Sequence, residues 1–285
     1  MNYISKNFLP VSCLCSIYEY TKSHEFLLSI NSILFQSYLP SEIIIMIDGP
    51  INNELREVID FLLNEYPDLI RSKVLKHNVG LGTSLKEGLN LCKNDLIARF
   101  DTDDINLQDR LLEQFNYFKK DSELDILGSF IKEYYYLKNE KIFSRIKKVP
   151  LSNNSIYKYL NKRNPINHPT VMFKKNSIIK AGSYAKMDYF EDYYLWLRCK
   201  FMKYKFINLP TPLVAMKRKN SLDRRHGYIY ALKELLFLNM VLKEKILSPK
   251  YIFIFIIRLM IRIFPKSIST LILKYDKSRK VWSQD

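Results

Sequence analysis

The sequence predicts an α/β fold, a mostly parallel sheet with flanking helices, extended by C-terminal amphipathic helices. Three observations predict it. Near-continuous apolar runs alternate with segments of helical periodicity over the first hundred residues, the pattern of strands buried on both faces and joined by crossover helices. The runs stop at polar residues, Tyr18-Glu19, Asp48 and Asp101–Asp104, and in such sheets ligands lie beyond the carboxyl ends of the strands. Glycine is scarce, and four of the seven (Gly49, Gly80, Gly82, Gly88) precede the acidic cluster, which concentrates special backbone geometry there.

Val11–Ser16 reads as the first strand, and Phe26, Leu27, Ile30, Ile33 and Leu34 follow at helical spacing. Glu42–Ile47 is the second strand, closed by the turn signal Asp48-Gly49-Pro50. Leu55, Val58, Ile59, Leu62, Leu63 and Tyr66 mark a second helix. A short strand around Lys73–Lys76 leads to His77–Gly82, a third helix runs from about Thr83 to Cys92, and Leu96–Phe100 is the fourth strand. A helix starts near Leu107. Beyond it, Ile126–Leu137 and Ile142–Val149 read as longer, more exposed strands, and Asn164–Thr170 is rich in turn residues. Thr170–Lys174 is a further strand, and Met187–Arg198 opens an aromatic helix. No low-complexity linker intervenes, so the division is one unit over 1–245 and a C-terminal appendage over 246–285.

The fourth strand delivers Asp101, Asp103 and Asp104, three carboxylates within four residues. They repel one another unless a cation sits among them. An EF-hand loop is excluded, because Ile105, Asn106 and Leu112 stand where that pattern needs Asp or Asn, Gly and Glu. Spaced D-x-D, Asp101 and Asp103 face one side of an extended segment and suit metal and ribose together, with Asp104 a further ligand. The plain alternative is a polar loop with an Asp helix cap. Asp48 is either a turn residue or an acceptor for a nucleobase N–H. Glu191 and Asp192 open a helix, where the macrodipole alone favours acids, or one of them takes a proton from an acceptor hydroxyl. His168 is a turn residue or an acceptor-side polar group. Arg224, Arg225 and His226, with Lys217, Arg218 and Lys219, form a solvated basic loop or a lid whose cations meet a diphosphate.

The net charge of +16 asks for a polyanionic partner, nucleic acid or an anionic membrane leaflet. From Val241 to Asp285 ten Lys/Arg and three acids interleave with a strongly apolar run. That placement argues against nucleic acid, which favours a basic stripe with interleaved aromatics across a sheet. Between Lys250 and Lys266 the run is too short and too charged to span a bilayer. It reads as a helix in the headgroup layer with its cations outward, or as a core-packed terminal helix. The four cysteines show no C-x-x-C pair and no metal spacing with the four histidines. Residues 1–10 carry no export signal, so the expected compartment is the reduced cytosol.

Val11–Tyr18, Ile43–Gly49, Asn78-Val-Gly80, Asp101-Thr-Asp-Asp104 and Glu191-Asp192 stand in an order that resembles family 2 glycosyltransferases with the GT-A fold, a Rossmann-like sheet. Asn164–Phe173 and Glu191–Trp196 are similar, more narrowly, to bacterial O-antigen and exopolysaccharide enzymes of the amylovoran type. Across about residues 10–245 the resemblance implies nucleotide binding by Ser16, Tyr18 and Asp48, and ribose and metal contacts by Asp101 and Asp103. It implies a base at Asp192 with Glu191 beside it. Ile47 stands where the family often has a first acid, so base recognition rests on Asp48; Lys86 stands where many members carry Arg for a diphosphate or base contact. The implied activity is inverting transfer of a hexose, Gal or Glc, from a UDP-sugar with Mg²⁺ or Mn²⁺. The implied acceptor is a polyprenyl-diphosphate-linked saccharide at the cytoplasmic face of the cell membrane. A metal-dependent nucleotidyltransferase is the competing enzyme class, but Ser16–Thr21 offers neither the Gly nor the Lys of its phosphate loop.

Overall fold

The computed structural model describes residues 7–137, 140–217 and 227–263. By packing, the chain divides into two compact units, 1–218 and 219–285. This is a division by contacts, whereas the one at residue 245 is a division by composition.

The first unit is built on one nine-stranded sheet in the order β3-β2-β1-β4-β8-β6-β9-β5, with β7 on β6. Its left half is β1 (Phe8–Ile17), β2 (Leu39–Ile47), β3 (Ile70–Val74) and β4 (Leu96–Arg99), all parallel. Helices α1 (Ser23–Leu34), α2 (Asn53–Glu65) and α3 (Leu81–Leu91) are the crossovers. Val11, Cys13, Leu14, Cys15 and Ile17 of β1 are all fully buried, as strands covered on both faces require. Cys13 and Cys15 pack as small apolar groups; burial pushes the Cys13 thiol up to about 12.

The third strand runs over Ile70–Val74 rather than 73–76, because Ile70 is the residue that pairs with Ile43 and is buried. The following residues leave the sheet and close against the β2 tip. Asn52 caps α2 by accepting from the Leu55 amide at 2.9 Å, so that helix starts two residues before its first apolar position.

The right half is less regular. β5 (Asp104–Asn106) is only three residues long and pairs antiparallel with β9 (Lys205–Lys217). β6 (Leu124–Leu137) pairs antiparallel with β7 (Glu140–Lys147) and β8 (Met172–Lys174), and parallel with β9. α4 (Arg110–Lys120), α5 (Asn153–Leu160), α6 (Lys175–Lys180) and α7 (Glu191–Phe201) complete the unit. Arg110 is fully buried and spends its guanidinium on the Arg99 carbonyl at 2.6 Å, the Val171 carbonyl at 3.3 Å and the Asn106 side chain. Its Nε donates to Gln114 Oε1 at 3.1 Å, and Gln114 Nε2 donates to the Leu127 and Thr170 carbonyls at 3.2 and 2.9 Å. One face of α4 thereby braces β4, β6 and the start of β8.

In the second unit, α8 (Tyr228–Lys243) and α9 (Ile252–Ile263) pack on each other. Arg258 and Arg262 both turn onto Glu234, whose side chain is fully buried. The expectation of outward cations on this helix is therefore corrected: a buried carboxylate without cations is too costly to keep, so the arginines go in. Lys266 lies outside the described residues. No helix among the described residues is long and apolar enough to cross a membrane.

Candidate active site

The tip of β4 carries the acids. Phe100 still follows the strand, its amide donating to the Leu14 carbonyl at 3.1 Å, and the chain then turns out of the sheet. Asp101, Asp103 and Asp104 each offer a carboxylate oxygen, and these atoms all lie within 4.8 Å of one another. Asp104 is buried because it begins β5. Ser29 of α1 pins the loop by donating to the Asp101 carbonyl at 2.7 Å. Three hard oxygen donors at this spacing fit Mg²⁺ or Mn²⁺.

Arg99 lies beneath them. Its guanidinium pairs with Asp101, its side chain is 3% exposed, and its Nε and Nη1 have no hydrogen-bond partner among the described residues. Burial alone would lower its pKa, but the charge and hydrogen bond of Asp101 more than offset this and raise it. The sequence carries one signal of Arg99, a single cation inside the apolar run Leu96–Phe100, which strand periodicity alone leaves without a role.

The second group of acids opens α7. That helix starts at Glu191 rather than at Met187, because Phe190 takes a left-handed φ of +68°. For a bulky aromatic this costs on the order of 1–2 kcal/mol and persists only where the surroundings dictate it. The consequence is a sharp turn that swings both acids to the helix mouth. Asp192 accepts from Asn164 Nδ2 at 2.7 Å and from the Tyr193 amide at 2.6 Å. Burial, reinforced by the charge of Asp192, pushes the Glu191 carboxyl up to about 7.

The two groups meet electrostatically, since the charge of Arg99 acts on Asp101 and on Glu191. α3 closes the third side. A Cβ built on Gly82 would fall 2.2 Å from the Ala185 carbonyl oxygen and 3.3 Å from Glu191 Cβ, so only glycine lets the start of α3 touch this segment. Two residues on, Ser84 Oγ meets Ser16 Oγ at 2.8 Å. Ser16, the Asp101–Asp104 cluster and Glu191-Asp192 therefore surround one region.

Asp48 stands at the β2 tip, buried, with its carboxylate accepting from the Val79 and Gly80 amides at 2.7 and 3.0 Å. Gly49 beside it has φ +90°, and any Cβ would come within 2.6 Å of the Asn78 nitrogen. The turn and the 77–80 segment thus form one clasp. Tyr18 is exposed and packs edge-on against Tyr20 with ring centroids 5.7 Å apart. Lys86 lies on the exposed face of α3. His168 is buried in a short 3₁₀ turn, its Nε2 2.9 Å from Tyr184 Oη and its ring edge-on to Trp196. Burial and the charge of Arg99 hold it neutral, well below the usual histidine range. Arg224, Arg225 and His226 lie outside the described residues.

The raised Glu191 carboxyl has a consequence for stability. The folded protein holds that proton up to about 7, the unfolded chain only to 4.5. Between those values the native state binds the extra proton, so stability falls as pH rises through that window. Glu191→Gln is expected to remove this loss, gaining on the order of 1–3 kcal/mol over the parent at pH 8 in chelator and none at pH 4. Urea titrations at the two pH values check it, and an equal difference at both contradicts the assignment.

Residues 18–186 match the family described as glycosyl transferase family 2. The amylovoran biosynthesis glycosyltransferase AmsE of Erwinia amylovora is 34% identical over 272 residues, 94% of this chain and 99% of that protein. The UDP-Gal:alpha-D-GlcNAc-diphosphoundecaprenol beta-1,3-galactosyltransferase of Escherichia coli is 36% identical over 241 residues, 84% of this chain and 86% of it. In fold, the chain is similar to the crystal structure of S. aureus TarS 1-349 in complex with UDP-GlcNAc. The TM-score is 0.57 at 13% identity, over 81% of this chain and 65% of that one.

Proposed function

The chain belongs to glycosyl transferase family 2, and from that premise we propose an inverting, metal-dependent hexosyl transfer from a UDP-sugar, with Gal or Glc the hexose. The acceptor is a polyprenyl-diphosphate-linked saccharide in O-antigen, capsule or exopolysaccharide synthesis. The fold is GT-A. One observation carries the reading: Arg99 pairs with Asp101 of the acid cluster, while the start of α3 touches both Glu191, through Gly82, and Ser16, through Ser84. Donor-side and acceptor-side chemistry then share one crevice. The relative named for UDP-Gal and a diphosphoundecaprenol acceptor supports the donor and acceptor classes.

In this mechanism Asp101 and Asp103 would hold the divalent ion, with Asp104 a further ligand, and Asp101 would also serve the ribose. When bound, the ion supplies charge neutralisation for the departing diphosphate. Ser16, Tyr18, Asp48 and Lys86 line the nucleotide side, with Asp48 recognising the base while it also fixes the 77–80 segment. Asp192, aimed by Asn164, accepts the proton of the acceptor hydroxyl as that oxygen attacks the anomeric carbon from the face opposite UDP. Glu191 sets the field beside it. His168, Arg224, Arg225 and His226 are assigned to the acceptor and diphosphate. The enzyme works peripherally on the cytoplasmic membrane face, with 1–245 as the transferase and 246–285 as its membrane segment, and nucleic acid has no part in the scheme.

The test is a panel of UDP-sugars with a synthetic GlcNAc- or GalNAc-diphosphate-lipid. One donor is expected to be consumed with inversion at the anomeric carbon, with activity lost in EDTA and restored by Mn²⁺ or Mg²⁺. Full turnover in EDTA refutes the metal assignment, and no transfer from any UDP-sugar refutes the donor class.

A further inference from the structure

Helix α9 divides its surface in an unusual way. Phe253, Ile256, Ile257, Met260 and Ile263 are all exposed, the outermost at 67% and 62%, and they follow one another at i, i+3, i+4, i+7 and i+10 along one face. The two cations of the helix are on the other side. Arg258 pairs with Glu234 at 2.6 Å, and Arg262 pairs with the same carboxylate. Their side chains are only 17% and 15% exposed, and Arg262 also stacks on Tyr230 at 4.3 Å. The charges that would keep this helix in water are thus locked inward, and what faces out is a charge-free apolar stripe. Its twelve described residues, ~18 Å of helix, are too few to span a bilayer.

We propose that α9 lies flat in the lipid headgroup layer with its arginine-free stripe against the acyl chains, while Arg258 and Arg262 serve as an internal latch to α8 rather than as lipid contacts. Charge complementarity selects the bilayer over a second copy of the chain. At a net +16 two copies repel each other, whereas an anionic leaflet attracts. The inference deepens the membrane-surface assignment above and rests on it.

The experiment is flotation of the full chain with phosphatidylcholine/phosphatidylglycerol vesicles, beside transfer to a short-chain, water-soluble acceptor. Phe253→Asp/Met260→Asp, both at exposed positions, is expected to cut vesicle partition by about tenfold or more and to leave transfer to the soluble acceptor unchanged. Replacing the latch as a unit, Glu234→Met/Arg258→Met/Arg262→Leu, is expected to keep partition within about twofold, because an inward ion cluster is exchanged for apolar packing. If the latch replacement abolishes flotation while its thermal transition is retained, the arginines read the headgroups and the proposal falls. It falls too if Phe253→Asp/Met260→Asp floats like the parent, or if the parent is a dimer that this variant dissociates and does not float. A parent that floats but transfers no sugar leaves the docking face standing and removes the transfer reading instead.

Discussion

Asp103→Ala is expected to lose on the order of 10³-fold of metal-dependent transfer without losing stability in the metal-free state. The two halves have different causes. Asp101 already carries the Arg99 guanidinium and Asp104 is buried at the start of β5, so Asp103 completes the donor set between them. Without it, two carboxylates are left to hold a small hard cation against the departing diphosphate. In the absence of the ion, however, the three acids crowd within 4.8 Å, and deleting one relieves like-charge repulsion. The thermal transition in EDTA should stay level or rise, while Mn²⁺ affinity measured by electron paramagnetic resonance falls. A variant that keeps metal-dependent turnover removes Asp103 from the site. One that loses activity only because it unfolds in EDTA makes the residue structural.

Asp192→Asn is expected to lower kcat by about 10²–10⁴-fold with little change in KM for the UDP-sugar. The amide is isosteric and its oxygen still accepts from the Tyr193 amide, as the carboxylate does at 2.6 Å, so helix α7 should stay intact. What is lost is the capacity to take a proton. Asn164→Ala should show a smaller loss of the same kind, since its Nδ2 contact at 2.7 Å aims the carboxylate without joining the chemistry. A Glu191→Gln enzyme with a larger kcat loss than Asp192→Asn would exchange the roles of the two acids.

Most of the left half of the sheet was legible in the sequence, because fully buried parallel strands leave long apolar runs that nothing else explains. Residues 43–47 could be little else. The acidic cluster was legible for a complementary reason, that three adjacent carboxylates are costly without a purpose. Two kinds of feature were not. β5 is three residues long and cannot display alternation, so Asp104 looked like loop. Its burial comes from pairing with Met216, more than a hundred residues away. The start of α7 was missed because Met187–Phe190 is apolar and aromatic enough to pass for a first turn, and only the left-handed Phe190 shows otherwise. Of the two readings of the α9 run, the one with outward cations put the arginines on the wrong side for a related reason. Periodicity gives the shared face, but only the buried partner, Glu234, says whether that face is wet.

The brace on α4 bears on how this enzyme can change over time. Arg110 and Gln114 grip the carbonyls of Arg99, Leu127, Thr170 and Val171, and a carbonyl is present whatever residue supplies it. The grip on the main chain is therefore indifferent to which side chains these strands carry, although the side chains at 127, 170 and 171 are themselves buried. The two helix residues hold a position that neither Lys nor Glu can fill, since only a planar fork and an amide reach four acceptors at once. Sibling enzymes should exchange one apolar residue for another at 127 and 171, both fully buried, long before they vary at 110 or 114.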